Sequence, residues 1–157
     1  MSEAAALAID LDGVLGDTRP LWRAWLVSAA PVLGVEPDAL PKDRASAARE
    51  LDERGAGNWR ALLERFSEER APVYLRRDPG TSAALRALTG SGRRLGVFSD
   101  APEPLARVAL AQLGADRRVE LLETGEGARE RVVSQLGPSV AVVASRAELD
   151  RALRGET

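Results

Sequence analysis

The stretch LAIDLDGVLGDT, Leu7–Thr18, decides how the rest of the chain is read. An apolar run ends in two aspartates, Asp10 and Asp12, and Gly13 follows at once. The run ALAIDL, residues 6–11, is short and apolar and is bounded by Asp12-Gly13. That is the pattern of a strand buried on both faces of a parallel sheet. In open parallel sheets reactive groups collect beyond the carboxyl ends of the strands, which is where these aspartates fall. Two residues apart, their carboxyl groups face one ligand from one strand end. Gly13 allows the tight turn that brings backbone close to that ligand. The structural alternative is a strand end whose aspartates cap a turn.

Outward from this stretch the chain alternates. Residues 19–33 carry Trp22, Trp25, Leu26 and Ala29 at helical spacing. GVEPDALPKD, 34–43, is punctuated by Pro and Gly and predicts a loop. A charged, alanine-rich helix is predicted over 44–54. Asn58 is a helix cap, and Trp59, Leu62, Leu63 and Phe66 form the buried face that follows it. RRDPGT, 76–81, predicts a turn before a short helix over 82–89. Strands follow at 94–100, 118–123 and 139–145, with helices at 104–113, 128–136 and 146–154. Strand–helix alternation with short joints predicts an α/β fold, a Rossmann-like parallel sheet flanked by helices. The helical block 19–77 interrupts it. Trp22, Trp25 and Trp59, at helical spacings, read as core of that block.

The totals bound the chemistry. The 157 residues are 45% hydrophobic and 29% charged, as for one globular domain able to bury its own core. The net charge of -2 gives no basic field for nucleic acid. No stretch approaches the length of a membrane span, and MSEAAALAID lacks the basic start and long apolar run of a signal peptide. With no cysteine, disulfides and thiolate zinc sites are excluded, and a cytoplasmic setting is expected. With no histidine, acid–base work falls to carboxylates, hydroxyls or arginine, and any metal is a hard cation such as magnesium. Lys42 is the only lysine.

Phosphoryl transfer through an aspartyl-phosphate needs a carboxylate nucleophile and a second carboxyl that protonates the leaving oxygen and later activates water. Asp10-Leu11-Asp12-Gly13-Val14-Leu15, followed by Asp17-Thr18, resembles the first motif of the haloacid dehalogenase superfamily. The resemblance implies Asp10 as nucleophile and Asp12 as acid/base. It implies a core of residues 1–18 and 78–157 with a helical cap inserted over 19–77, and four core strands in the order 3-2-1-4. GVFSDAP, 96–102, matches the family's second motif, in which Ser99 hydrogen-bonds a phosphate oxygen.

The later motifs are degenerate. The family's lysine is missing from ETGEGARERVVSQLG, 123–137, where Arg129 is the best-placed substitute and Arg131 the next. Arginine is planar and forked, so the exchange is not conservative. In place of the family's Gly-Asp stands Ala144-Ser145, with Asp150 near the second aspartate's position. Ser145-Arg146-Ala147-Glu148 also reads as a capping box for the last helix. The implied magnesium is therefore weakly held, by Asp10, the carbonyl of Asp12, and Asp150, and the degenerate site is slow or inactive.

Two functions follow as expectations. The first is a phosphatase acting on a small phosphomonoester, with Asp10, Asp12, Ser99 and Arg129 as its catalytic residues. It expects Arg129 in the cleft and Asp150 or Glu148 at the metal. The second is a catalytically impaired domain that binds a phosphorylated ligand or a protein partner, with those residues in solvent. Arg19, Arg76 and Arg77 are placed to meet an anionic substrate. The exposed edge of a four-stranded sheet invites a protein partner or a second copy.

Overall fold

The apolar run before the aspartates forms β1 (Ala6–Asp10), an inner strand of a four-stranded parallel sheet in the order β3-β2-β1-β4. The computed structural model describes residues 4–155. Its other strands are β2 (Arg94–Ser99), β3 (Leu121–Thr124) and β4 (Val140–Val143). The helices are α1 (Arg19–Leu33), α2 (Arg44–Glu53), α3 (Trp59–Tyr74), α4 (Pro79–Gly90), α5 (Glu103–Gln112), α6 (Ala128–Leu136) and α7 (Arg146–Leu153). The strand order is the one expected.

Alternation along the strands gives the sheet two different faces. Leu7 and Ile9 of β1, with Leu95 and Val97 of β2, join the large core that also holds Leu105, Ala109 and Leu149. Ala6 and Ala8, with Phe98, join a smaller core on the opposite face, built around Ala128, Val132 and Leu136 of α6. Small residues let α6 approach closely. A methyl group added at Gly96 would lie 2.8 Å from Val132 Cγ1 and 3.1 Å from Leu136 Cδ1. Gly96→Ala is therefore expected to destabilise the protein by about 1–3 kcal/mol through overpacking, measured by urea denaturation.

The four helices between β1 and β2 share the large core, and three tryptophans knit α1 to α3. Trp22 and Trp25 have ring centroids 5.2 Å apart, and Trp25 and Trp59 6.0 Å apart. Trp59 Nε1 donates to Asp52 at 2.9 Å, and the guanidinium of Arg60 covers its ring at 4.3 Å. The α3 helix packs on both α1 and α5, so the tryptophan cluster continues into the sheet's own core.

The largest departures from the expected boundaries are at two element starts. The α4 helix starts at Pro79, because Asp78 accepts from the Thr81 N–H at 2.8 Å and turns 76–81 into a helix start. β3 starts at Leu121, because the Arg118 N–H is used in a turn with the Ala115 carbonyl. Among the described residues no helix is long and apolar enough to cross a membrane.

Candidate active site

Parallel register brings the strand ends together. Asp10 lies opposite Phe98, and Ser99 opposite Thr124, at one end of the sheet. Beyond Asp10 the chain makes one wide turn over Leu11–Leu15, with Gly13 at φ 97°. The Gly16 N–H closes the turn on the Leu11 carbonyl at 3.1 Å. A residue with a Cβ is strained at that φ, so glycine fits here as the motif requires. The turn folds Asp12 back toward the sheet and delivers Thr18, fully buried, beside it.

Asp12 is held by four donors. Its Oδ1 accepts from the Thr18 N–H and the Thr18 hydroxyl, both at 2.7 Å. Its Oδ2 accepts from Arg44 Nη2 at 2.7 Å and from the Ser99 hydroxyl at 3.0 Å. Ser99 accepts in turn from the Ala101 N–H at 3.1 Å. The hydroxyl expected to face a phosphate thus donates to Asp12.

Arg44 is the residue that the sequence reading missed. It is the first residue of α2, and its side chain is 3% exposed. Nη2 reaches both Asp12 Oδ2 and Asp100 Oδ1 at 2.7 Å, and Nη1 donates to the Thr18 hydroxyl at 2.6 Å. Burial alone would lower its pKa. The bond to Asp100 and the charge of Asp12 outweigh that and hold it above the ordinary arginine value. One signal was available in the sequence. A cation in the first turn of a helix opposes the helix dipole, which favours acids there, so it needs an anion elsewhere.

Asp10 is the less satisfied carboxylate. One oxygen accepts from the Asp12 N–H at 3.1 Å. Burial first, and the charge of Asp12 second, raise its pKa to about 6.

The other candidates stand apart from this group. Arg129 is exposed on α6, because Ala128, Val132 and Leu136 take the inward positions. Arg131 is tied to Glu123 at 2.8 Å and to the Thr124 carbonyl at 2.6 Å. Asp150 is exposed on α7, whose buried residues are Leu149 and Ala152. Ser145 caps α7 by accepting from the Glu148 N–H at 3.1 Å, while Glu148 accepts from the Ala144 N–H at 2.7 Å. Arg19 pairs with Asp17, and Arg76 and Arg77 are exposed. Among the described residues no three His, Cys, Asp or Glu side chains are grouped to hold a metal ion. The ligand set implied for magnesium does not fit. Asp10 is present, but Asp150 lies outside the group, and Ser145 and Glu148 serve the helix start.

A cavity of about 550 Å³ adjoins the site through Arg44 and Asp100. Trp22, Leu26 and Leu40 give it apolar walls, and Arg19, Arg23 and Lys42 add positive charge.

No model of a known protein family matches the chain, and no curated protein matches it. Solved structures do. CbbY from Rhodobacter sphaeroides in complex with phosphate is 15% identical over 99% of this chain and 83% of that one, with a TM-score of 0.65. An aspartate-to-asparagine mutant of CbbY, in complex with xylulose-(1,5)bisphosphate, gives 16% identity, the same coverage and a TM-score of 0.67. A HAD phosphatase from Thermococcus onnurineus is 19% identical over 88% of this chain and 76% of that one, with a TM-score of 0.54. At these identities the likeness is one of architecture, and it agrees with the strand order and the first motif: the chain has the fold of the haloacid dehalogenase superfamily.

Proposed function

We propose that the chain is a phosphatase of haloacid dehalogenase type, acting on a small phosphomonoester through Asp10. The observation that carries this reading is the placement of Asp10. It stands at the carboxyl end of β1 with Asp12 and Ser99 on the same sheet end, and one of its oxygens is tethered by the Asp12 N–H. The other oxygen is the attacking atom. Its bond to phosphorus forms as the bond from phosphorus to the leaving oxygen breaks, and Asp12 supplies the proton to that oxygen. Water then attacks phosphorus, Asp12 takes the water's proton, and Asp10 is released with inorganic phosphate. For Asp12 to carry a proton, Arg44 must leave Oδ2. A ligand phosphate is the natural acceptor for that guanidinium.

The organic part of the substrate belongs in the adjoining cavity, where apolar walls meet Arg23 and Lys42. Changing both to glutamate is expected to raise KM at least about tenfold for ligands with a second anionic group, with kcat little changed. Steady-state kinetics on paired mono- and bisphosphates checks this.

A second reading is a domain that binds a phosphorylated ligand without turnover. The four donors on Asp12 and the outward Arg129 favour it. One experiment separates the two: hydrolysis of a panel of small phosphomonoesters by wild type and Asp10→Asn, with magnesium and with EDTA. Turnover that disappears in the variant supports the phosphatase. Equal background in both proteins, together with saturable binding of inorganic phosphate, supports the second reading.

A further inference from the structure

We propose that Arg44 is the resident cation of this site, balancing its carboxylates in the place of a divalent metal, so that the site is assembled without magnesium. The inference concerns the site of the phosphatase reading but does not depend on turnover.

Three observations support it. The first is saturation. Both oxygens of Asp12 have two donors each, and one oxygen of Asp100 shares the same guanidinium nitrogen. A metal ion at these oxygens would have to displace a bonded, buried arginine. The second is the donor set. A hard divalent cation is held by several oxygen ligands, usually more than one carboxylate. The positions beyond β4 that would complete such a set carry Ala144, whose side chain has no ligating atom, and Ser145, which caps α7. The third is charge. A fixed guanidinium repels a second cation at close range, and this one is buried where screening by salt is weak. Arginine also matches phosphate geometry with its planar fork, so the same group serves an oxyanion once it is released from Asp12.

The wild-type chain is titrated with MgCl2 and MnCl2 by calorimetry. Thermal unfolding is followed in EDTA and in 10 mM MgCl2 at matched ionic strength. A site with Kd of about 0.1 mM would raise Tm by several degrees at that concentration. The expected result is no saturable binding and no rise in Tm. One-to-one magnesium binding to wild type that Asp10→Asn abolishes overturns the proposal.

Arg44→Gln is the second arm. Removing the guanidinium leaves Asp12 and Asp100 without their paired cation, next to Asp10. This variant is expected to gain saturable stabilisation by magnesium or manganese, and to lose it again when Asp12→Asn is added. A folded Arg44→Gln with no response to either cation also overturns the proposal. Should that variant not fold, the wild-type titration decides alone. Activity is not read in either arm, so a chain without turnover refutes the phosphatase reading and leaves this one to be judged on cation binding.

Discussion

Replacing Asp10 by asparagine is expected to stabilise the protein at pH 7.5 and to abolish its turnover. Burial and the charge of Asp12 raise the Asp10 pKa from 3.8 to about 6. The folded state therefore favours the protonated carboxyl. The stability this group contributes is fully present below about pH 4 and is lost as pH rises through about 6. Above that pH the folded protein holds a carboxylate that would be better solvated in the unfolded chain. The amide of the Asp10→Asn variant has no charge to desolvate, and its side-chain oxygen still accepts from the Asp12 N–H. The gain is about 1–2 kcal/mol at pH 7.5, after allowance for solvent around a carboxyl that is only half-buried. At pH 4 the two proteins should be equally stable. Denaturant unfolding at both pH values measures the difference, and equal stability at pH 7.5 would contradict the account. Turnover requires the ionised nucleophile, so kcat/KM of the wild type should rise with pH through about 6. In Asp10→Asn it should fall at least about 10³-fold. Gain of stability with loss of activity at one atom is the signature of a site held in a strained charge state.

The second large effect is expected at Arg44. Arg44→Met removes the cation between Asp12 and Asp100 and leaves Asp12, 10% exposed, without its counter-charge. Breaking a buried pair on one side is typically worth about 3–5 kcal/mol of destabilisation. Because Asp100 is 51% exposed and keeps its water, the lower end of that range is expected. Adding Asp12→Asn should restore more than half of the loss, since the uncompensated charge is then gone. Urea denaturation of both single variants and the double variant measures the coupling. A loss near zero for Arg44→Met would show that the pair is replaced by solvent at no cost. By contrast, Arg129, exposed on α6, gives no reason to expect a comparable effect.

The contrast between these two arginines shows what was legible in the sequence. The core was legible because its information is local. An apolar run that ends in Asp10, a glycine that ends a helix, and an asparagine at a helix start each act over a few residues. The first motif was legible for the same reason, with Thr18 inside it. Arg44 was not, because its partners lie 32 and 56 residues away in sequence, and its one local sign, a cation in a helix's first turn, does not say where the anion lies. The positions of Arg129 and Asp150 follow from helical period. Ala128, Val132 and Leu136 fill one face of α6, and Leu149 and Ala152 one face of α7, which turns residues 129 and 150 to the wet side. The family pattern drew attention to those two residues by order in the chain, and periodicity moves them away.

The tryptophan cluster has a consequence for how the molecule comes apart. A lid joined to its base by two strands of chain can open as a unit, and its amides exchange with solvent long before the base unfolds. Here Trp22, Trp25 and Trp59 are continuous with Leu7, Ile9 and Val97 in one apolar body. Separating α1 and α3 from the sheet would expose that body to water on both sides of the cut. Native-state hydrogen exchange should therefore find the slowest amides of α1 and α3 leaving together with those of β1, in a single opening. Excision of the segment between β1 and β2 should yield no folded remainder.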